Sequence, residues 1–479
     1  MSRFPKRSFP RDLSHFVPFR YTAFHAMRTF SIHTLGCKVN QYESEQMASL
    51  LRSHGWTESD SQSAELRIIN TCSVTMDAAS KSRQAVRRAV RLPVSGQDGV
   101  ASQSQVVVAG CWATSDKQSA GQIPGVGLVL THHDDVSERL TRFLNPAEAA
   151  SSKPPVVGTR SLPLLDSRQN HNQRAFLKIQ DGCDAHCTYC IIPKLRPLPW
   201  SKPLDDLIRE ARQLVDAGHV ELVLTGIFLG AYGQETALRR RQSNVNRQPL
   251  ARAVESLCTQ VPGLRRLRLS SLEPGDLNDE LLATLRSYEQ VVPHFHLPLQ
   301  SGSDAILRKM NRQYTREDYL RLVDRLHATF DRPALTTDII VGFPGESDTA
   351  FQQTVEIVDH SRFIHIHAFP FSPRPGTAAA RWQSNFVRGP IVDQRIDLLR
   401  LRANAFSLDF RSTFVHQTVQ VLVEREHRTA DTDLNHGRCE RYFDIHFESE
   451  IASPGDLIGV RIDRVTPTRT FATPISSPP

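Results

Sequence analysis

Three closely spaced cysteines, Cys183, Cys187 and Cys190, constrain the fold and chemistry of this chain more than any other feature. Their C-x3-C-x2-C spacing suits a four-iron, four-sulfur cluster, in which three thiolates each ligate one iron and the fourth iron stays open to a small molecule. The alternative is zinc, which needs four protein ligands, or three and a water. No second C-x2-C follows at zinc-ribbon spacing, and His186 is adjacent to Cys187, where it is poorly placed to bind the same ion. The spacing therefore predicts a cluster with an open iron.

Composition and cysteine usage narrow the class of protein. The 479 residues are 39% hydrophobic and 23% charged, which is typical of a globular protein with about three domains. No apolar run approaches the roughly 18 residues of a membrane span, so we expect no membrane partner. Eight cysteines are too few for a disulfide scaffold in a chain this long, which favours a reducing, cytoplasmic setting. The net charge of +7 permits RNA binding.

The first 26 residues differ from the rest of the chain. They contain five basic residues and one acidic residue, and therefore contribute +4 to the net charge. Such a segment is consistent with an organelle transit peptide, and it lacks the long apolar core of a secretory signal. The other explanation is a misassigned upstream extension with the natural start at Met27, directly before a predicted strand. We expect that the start is misassigned in this way, and we expect residues 1–27 to form a disordered extension.

Short apolar runs alternate with helical patterns over residues 28–146, which predicts a parallel α/β domain. Strands are expected at Phe30–Leu35, Leu66–Asn70, Gln105–Ala109 and Val126–Leu130, and helices at Tyr42–His54, Met76–Arg91 and Asp134–Phe143. Residues 147–173 are rich in Pro, Ser and Ala and are expected to form a linker.

A second α/β domain is predicted over residues 174–405. Its six strand candidates are Ala175–Gln180, Val220–Thr225, Leu267–Ser271, His294–Leu299, Thr336–Val341 and His365–Phe371. Helical stretches lie between them, at Leu204–Ala217, Asp279–Arg286, Arg316–Phe330 and Asp348–His360. Six βα units are too few for a closed eight-unit barrel, so we expect an open one with its chemistry at the carboxyl ends of the strands. Residues 413–473 predict a small all-β module with strands at Thr418–Val423, Tyr442–Phe447 and Leu457–Ile462.

Three further cysteines occupy equivalent places in the first domain. Cys37, Cys72 and Cys111 each follow an apolar strand, and the carboxyl ends of neighbouring parallel strands lie at one edge of a sheet. A buried structural cysteine is the ordinary explanation for any one of them. Three at the same topological position instead predict a second metal or cluster site, again with one iron lacking a protein ligand. Cys258 and Cys439 have no such context and are expected to be structural.

Several motifs together resemble those of the radical S-adenosylmethionine (SAM) superfamily, and specifically its methylthiotransferase branch. They include Thr34-Leu-Gly-Cys-Lys-Val-Asn-Gln-Tyr42, Ile69-Asn-Thr-Cys72, Leu177-Lys-Ile-Gln-Asp-Gly-Cys183, Cys190-Ile-Ile-Pro193, Leu297-Pro-Leu-Gln-Ser-Gly302 and Thr337-Asp-Ile-Ile-Val-Gly342. The form Lys38-Val-Asn-Gln-Tyr42 is similar to that of the members acting on N6-threonylcarbamoyladenosine (t6A) in tRNA. Members acting on isopentenyladenosine typically carry Gln-Met-Asn, and members acting on a ribosomal protein carry Pro-Lys-Asn.

The resemblance implies two 4Fe–4S clusters, one on Cys183, Cys187 and Cys190 and one on Cys37, Cys72 and Cys111. The first would bind SAM and cleave it to a radical that removes hydrogen from C2 of the modified adenine beside the anticodon. The second would supply a sulfur that another SAM has methylated. The resemblance further implies a partial (βα)6 radical SAM barrel, a TRAM-like C-terminal domain that binds RNA, and an electron donor such as flavodoxin or ferredoxin.

SAM contacts are expected at or near the strand ends of the barrel, at Gly226, Gln300, Ser301, Asp338 and Gly342. Turn glycines and barrel-filling polar residues are the alternative explanation. His294 and His296 alternate along one strand and are expected to pack inside the barrel. For RNA, whose single-stranded loops are recognised by basic and aromatic side chains, the candidates are Arg374 and the C-terminal domain. The run Arg239-Arg-Arg-Gln242 is expected to lie in a solvated loop.

One segment departs from the family pattern. Members usually have Gly where Pro197 stands and Arg where Trp200 stands, whereas Arg196 and Ser201 match. The segment borders the first three cysteines, so the departure concerns how the substrate is engaged. Two other enzymes stay open, a methylthiotransferase for isopentenyladenosine in tRNA and one for a ribosomal protein. A non-catalytic iron–sulfur RNA-binding protein is the remaining alternative, and only this altered segment favours it.

Overall fold

The computed structural model describes residues 28–94, 102–145, 161–167, 173–239, 248–425 and 434–475. It confirms the expected α/β class, with an amino-terminal parallel sheet, a six-stranded partial barrel and a small closed β-barrel at the carboxyl end. The expected extension at residues 1–27 lies outside the described residues, as do 147–160 and 168–172 of the expected linker. Within the described part of the chain, no helix has the length and apolar content needed to cross a membrane.

The first domain is a parallel sheet with helices on both faces. Its elements are β1 (Thr29–Thr34), α1 (Lys38–Ser53), β2 (Thr57–Glu58), β3 (Leu66–Thr71), α2 (Met76–Arg91), β4 (Pro93–Val94), β5 (Ser102–Gln103), β6 (Gln105–Ala109), α3 (Gly110–Ser115), α4 (Lys117–Gly121), β7 (Val126–Val129) and α5 (Val136–Leu144). The main sheet has the order β2-β1-β3-β6-β7. Every residue of β3 is buried, as expected for a central strand covered on both faces. The four strands and three helices expected here are confirmed.

The second domain contains all six expected strands. Its elements are β8 (Ala175–Lys178), β9 (Gln180–Asp181), α6 (Ile192–Leu195), β10 (Trp200–Ser201), α7 (Leu204–Asp216), β11 (Glu221–Thr225), α8 (Pro249–Gln260), β12 (Arg266–Leu269), α9 (Asp279–Ser287), β13 (His294–His296), α10 (Asp304–Met310), α11 (Arg316–Thr329), β14 (Ala334–Val341), α12 (Asp348–Ser361), β15 (His365–Pro370) and α13 (Gly389–Ser412). The barrel strands form two parallel sheets, β12-β11-β8 and β13-β14-β15. The two sheets are connected between β12 and β13 by a bridge from Leu267 to Val291 and by a hydrogen bond from the Leu272 N–H to the His296 carbonyl oxygen at 3.0 Å. On the other side, no pairing between β8 and β15 occurs among the described residues, so the barrel is open there.

The third domain is a closed barrel of five strands in the order β16-β17-β18-β20-β19. The strands are β16 (Thr418–Val423), β17 (Asn435–Cys439), β18 (Asp444–Phe447), β19 (Leu457–Val465) and β20 (Thr470–Pro474). Two arginines of β12 attach this domain to the partial barrel. Arg266 donates to the carbonyl oxygen of Gln420 at 2.6 Å, and Arg268 donates to that of Glu440 at 3.1 Å. The third domain therefore packs against the same barrel that carries the first set of cysteines.

Residues 161–167 belong to the expected linker but pack against the two domains that it connects. Leu162 is buried in the core of the first domain, and Leu165 is buried in the core of the barrel. The backbone N–H of Leu165 donates to Glu210 at 2.9 Å. These leucines fasten the connecting segment to both domains, which composition averaged over the segment does not reveal.

Candidate active site

Cys183, Cys187 and Cys190 lie in one loop at the carboxyl end of the first barrel strand. The backbone N–H of Cys183 donates to the carbonyl oxygen of Arg196 at 3.0 Å, and that of Cys190 donates to Cys187 at 2.9 Å. Gly182 has φ +76°, and a Cβ there would lie 2.1 Å from the carbonyl oxygen of Leu198. Only glycine fits this position. The loop is thus folded back on the segment that follows it.

The segment with the unusual Pro197 and Trp200 forms part of this fold-back. Trp200 pairs with Asp181 and Ser201 pairs with Gln180, in the short antiparallel β9–β10 ladder. Leu198 is 71% exposed at its turn. The unusual residues therefore still fold against the cysteine loop, and they place an apolar side chain on the surface beside it.

The three cysteines of this loop are half-buried and lie beside a cation. Burial, followed by neighbouring thiols, raises the pKa of both Cys183 and Cys190 to about 12. Arg312 donates to the Cys187 sulfur at 3.3 Å and is itself ion-paired with Glu273. A bound metal reverses such pKa shifts, because a coordinating thiol loses its proton. The loop therefore combines three sulfur ligands with a fixed positive charge.

Cys37, Cys72 and Cys111 converge at one edge of the first sheet, as their topology predicts. Cys37 caps α1, Cys72 follows β3, and Cys111 lies in the first turn of α3 after β6. Burial raises the pKa of Cys72, and Cys37 contributes to this shift. Burial likewise raises the pKa of Cys111, with contributions from the other two thiols. The three sulfurs therefore lie within electrostatic range of one another.

Glycines hold the backbone close at this second set of cysteines. Gly36 has φ +106°, and a Cβ there would lie 2.9 Å from the Cβ of Cys72. Gly110 has φ +89°, and its Cβ would lie 2.3 Å from the Asn70 side-chain oxygen. A larger residue at either position would displace the loop that presents a thiol.

Both sets fit an iron–sulfur cluster by their chemistry. Each consists of three cysteines on loops at strand ends, and thiolates are the protein ligands of such clusters. Across the described ranges, no three His, Cys, Asp or Glu side chains converge as they would around a single metal ion. Cys258 and Cys439 lie buried in hydrophobic cores, where burial raises the pKa of each thiol to about 12.

A buried ionic network joins the two sets of cysteines across the domain interface. Glu43 of α1 accepts two bonds of 2.7 Å from Arg196, one on each carboxylate oxygen. Lys178 donates to Glu43 at 2.9 Å and to Asp181 at 3.0 Å, and Asp181 also accepts from Arg196 at 2.7 Å. Burial alone would raise the pKa of Glu43, but Arg196 and Lys178 outweigh it and hold the pKa at about 2.

The same network fixes the protonation state of a buried histidine, His132. His132 lies 2.6 Å from Arg196, and burial followed by the Arg196 charge lowers its pKa to about 3. The imidazole is therefore neutral at pH 7. Sequence reasoning missed this network, because its members come from four separate segments of the chain. Lys178 and Asp181 lie within the Leu177–Cys183 motif and Arg196 matches the family pattern, but a motif does not show which side chains meet.

The expected SAM contacts lie around the carboxyl ends of the barrel strands. Gln300 is buried with φ +60°, and its side-chain oxygen has no hydrogen-bond partner among the described atoms. Ser301 is fully buried, and Asp338, within β14, lies 3.2 Å from His296. A Cβ on Gly226 would meet the Gln180 side chain at 3.0 Å, and one on Gly342 would meet Val392 at 2.5 Å. Packing alone thus accounts for both glycines, whereas Gln300 has an unused acceptor.

Two arginines are placed differently from their sequence-based expectation. Arg239 does not lie in a solvated loop, because it pairs with Glu273 at 3.1 Å and with Asp276 at 2.8 Å. Residues 240–242 of that run lie outside the described residues. Arg374, expected to face RNA, is 7% exposed and lies 3.4 Å from the carbonyl oxygen of Thr75. It therefore bridges two domains.

His294 is buried in the barrel as expected, and His296 is half-buried.

Two family models match the chain: the radical SAM superfamily over residues 177–358, and an uncharacterized protein family, UPF0004, over residues 29–131. The chain is 34% identical to a threonylcarbamoyladenosine tRNA methylthiotransferase of Bacillus subtilis (strain 168), covering 91% of this chain and 94% of that protein. It is 33% identical to a tRNA-2-methylthio-N(6)-dimethylallyladenosine synthase of Erythrobacter litoralis (strain HTCC2594), covering 92% and 96%.

Among solved structures, the chain is similar in fold to the radical S-adenosylmethionine methyltransferase TsrM of Kitasatospora setae. The TM-score is 0.52 at 14% identity, over 74% of this chain and 77% of that one. At this identity the likeness concerns the fold alone.

Proposed function

Because the chain belongs to the methylthiotransferase branch of the radical SAM superfamily, we propose that it adds a methylthio group to C2 of t6A in tRNA. The enzyme class, the use of SAM and one 4Fe–4S cluster follow from the family. The t6A substrate, a second cluster and the residues that hold each group are the proposal.

The observation that carries the proposal is the pair of three-cysteine sites at one domain interface. The Glu43–Arg196 pair links the helix that begins after Cys37 to the loop that follows Cys190. A substrate base held at this interface would be close to both sites at once. Transfer of a sulfur group to a carbon that must first lose hydrogen needs this proximity.

Each set of cysteines would hold one cluster. When bound, the cluster on Cys183, Cys187 and Cys190 supplies the electron that cleaves SAM, and the one on Cys37, Cys72 and Cys111 supplies the sulfur. We propose flavodoxin or ferredoxin as the electron donor, on the family resemblance. A cytoplasmic location is consistent with the sparse cysteines and with a tRNA substrate.

The chain's own side chains prepare the site. Arg312 places a positive charge against the Cys187 sulfur, which favours the thiolate needed for iron binding. Glu273 holds that guanidinium in place from its other side. The unused side-chain oxygen of Gln300 would accept a hydrogen bond from SAM. We propose Ser301, Asp338, Gly226 and Gly342 as further contacts.

The choice of t6A rests on the motif Lys38-Val-Asn-Gln-Tyr42 and on the relatives that carry that activity in their names. A relative named for dimethylallyladenosine is almost as similar, which keeps isopentenyladenosine as the second candidate. The two modifications differ in charge, because the threonyl group carries a carboxylate and the isopentenyl group carries none. A test must therefore identify the nucleoside produced.

Nucleoside mass spectrometry of tRNA gives that test. The host lacks its own t6A methylthiotransferase and is compared with and without this gene. We expect 2-methylthio-N6-threonylcarbamoyladenosine to appear only when the gene is present. Appearance of the methylthio derivative of isopentenyladenosine alone would replace the proposed substrate with the second candidate.

A further inference from the structure

Lys38 lies beside the second set of cysteines and has no hydrogen-bonding or ion-pairing partner among the described residues. It directly follows Cys37 and is the first residue of α1. Its ammonium makes no hydrogen bond and no ion pair within 4 Å with any residue that the structure describes. The ionisable groups around it are Tyr442, Arg174, Arg268 and Asp338, which reach it from the barrel interior and from the third domain.

Three arginines, each already ion-paired, surround the Tyr442 ring near Lys38. The guanidinium groups of Arg174, Arg268 and Arg438 lie 4.9, 4.8 and 4.7 Å from the centre of the Tyr442 ring. Each of the three has a carboxylate within 3.2 Å: Glu424, Glu221 and Asp444, respectively. Asp338, the carboxylate whose charge acts on Lys38, is already paired with His296. Burial would raise the pKa of Tyr442, but the four cations outweigh it and lower that pKa.

Further nitrogen atoms of this cluster also lack a hydrogen-bond partner among the described residues. Arg268 Nη2 and His294 Nδ1 are buried and have no hydrogen bond to any described atom. The His294 ring lies 4.8 Å from that of Tyr442, so both nitrogens belong to the same part of the barrel interior. Buried polar atoms are normally satisfied. The unpaired Arg268 Nη2, close to Lys38 and Tyr442, therefore points to an anionic acceptor that enters from outside.

The region around Lys38 and Tyr442 is accessible to such an acceptor. Lys38 and Tyr442 are both half-buried, and the Asp338 side chain is 30% exposed although it lies on a barrel strand. Cys37 adjoins Lys38 in sequence, so an anion here would lie next to the sulfur-supplying site.

We propose that Lys38, assisted by Arg268 and Tyr442, binds the threonyl carboxylate of the t6A base and thereby selects this substrate. The inference rests on the proposed function. In the purine ring, C2 and the N6-bearing carbon both flank N1, so they share one edge of the base. A base that presents C2 to the site of Cys37, Cys72 and Cys111 therefore directs its N6 substituent towards neighbouring side chains on that edge.

Charge then decides which substituent is accepted. A carboxylate gives Lys38 the charge-assisted partner that the described residues do not provide. A dimethylallyl group would leave the ammonium enclosed and unpaired, and sites built for a polar group reject analogues that lack it. The motif difference at this position, Lys here and typically Gln in the isopentenyladenosine branch, agrees with this assignment.

The test measures binding of the cluster-loaded protein to two anticodon stem-loop RNAs, one bearing t6A and one bearing unmodified adenosine. We expect the wild type to prefer the t6A RNA by about tenfold or more, as for a hydrogen bond between charged groups. Lys38→Gln should bring the ratio of the two Kd values close to one, and Lys38→Arg should retain most of the preference. Lys117→Gln, which removes an exposed lysine of the same domain, should leave the ratio unchanged.

A third RNA keeps the test decisive if Lys38→Gln fails to load its clusters. Its t6A carries the methyl ester in place of the carboxylate, and the wild type should bind it no better than the adenosine RNA. In a double-substitution cycle, the ester and Lys38→Gln should not add, because both remove the same contact. Tight binding of the ester by the wild type would overturn the inference.

The outcomes distinguish a failure of the role of Lys38 from a failure of the proposed function. If the wild type forms methylthio-t6A and Lys38→Gln keeps the preference for t6A RNA, only the role of Lys38 is wrong. A raised KM for SAM with an unchanged RNA preference in Lys38→Gln would also overturn that role, because Lys38 would then serve the cofactor. If the wild type neither prefers nor modifies t6A, the proposed function fails, and this inference fails with it.

Discussion

Replacing Glu43 by glutamine tests whether the buried ionic network holds the two cysteine-bearing domains together. Glu43 and Asp181 each accept from Arg196 on both carboxylate oxygens and also accept from Lys178. Glu43 is the one of the two that comes from the first domain. The amide of glutamine keeps the shape and one acceptor oxygen, but it loses the charge. Arg196 and Lys178 would then share the single carboxylate of Asp181 in a buried setting.

The structure sets the size of the effect. Removing one partner of a buried ion pair costs about 3–5 kcal/mol, because it leaves an uncompensated charge out of water. The pKa of Glu43, about 2 against its usual 4.5, corresponds to about 3 kcal/mol by linkage. The two values agree, so we expect Glu43→Gln to lower the free energy of unfolding by about 3 kcal/mol.

Urea unfolding followed by tryptophan fluorescence at pH 7 measures this change. Glu65→Gln makes the same substitution at an exposed position of the same domain and should change the stability by less than about 0.5 kcal/mol. In a double-mutant cycle, Arg196→Met should couple strongly to Glu43→Gln. If Glu43→Gln unfolds at the wild-type urea midpoint, the network contributes nothing to stability and the reasoning is refuted.

Three further outcomes follow from the same geometry. Gly36→Ala forces a Cβ to within 2.9 Å of Cys72 and should lower the iron content towards that of a one-cluster protein; wild-type iron content would contradict this. Arg312→Ala removes the cation beside the Cys187 sulfur, and SAM cleavage, measured as 5′-deoxyadenosine, should fall by roughly tenfold or more, whereas an unchanged rate would exclude this role. Burial alone would raise the pKa of Glu221, but the guanidinium groups of Arg268 and Arg266 outweigh burial and hold this pKa at about 2. Its contribution to stability is complete above pH 5 and is lost towards pH 2, so the urea midpoint should fall in that range; a flat profile there would count against it.

The cysteine sites were largely predictable from the sequence. The loop at Cys183 is defined by local spacing, and the site at Cys37, Cys72 and Cys111 follows from the rule that parallel strands end at one edge of a sheet. Both arguments use local pattern and topology, which do not depend on side-chain detail. The six barrel strands were predictable for the same reason, because each is a short apolar run between helical patterns.

The side chains between the sites were not predictable in the same way. Arg196 and Glu43 are separated by 153 positions and meet only after two domains have packed. Arg239 lies in a charged run that is typical of a solvated loop, yet its carboxylate partners are on a different segment. Strand β17 was missed because its Asn-His-Gly-Arg-Cys sequence has no apolar alternation, and its pairing with β16 and β18 compensates for that. Partners fixed by tertiary packing leave no periodic signal in the chain.

The central claim is that the two sets of cysteines have different chemical roles, one in SAM cleavage and the other in supplying sulfur. The most direct test measures 5′-deoxyadenosine and methylthio-t6A in the same anaerobic reaction for Cys187→Ala and Cys72→Ala, with SAM, a reductant and t6A-containing tRNA. We predict that Cys187→Ala forms neither product, whereas Cys72→Ala still forms 5′-deoxyadenosine but no methylthio-t6A. Full formation of methylthio-t6A by Cys72→Ala would contradict the assignment of two sites with separate roles.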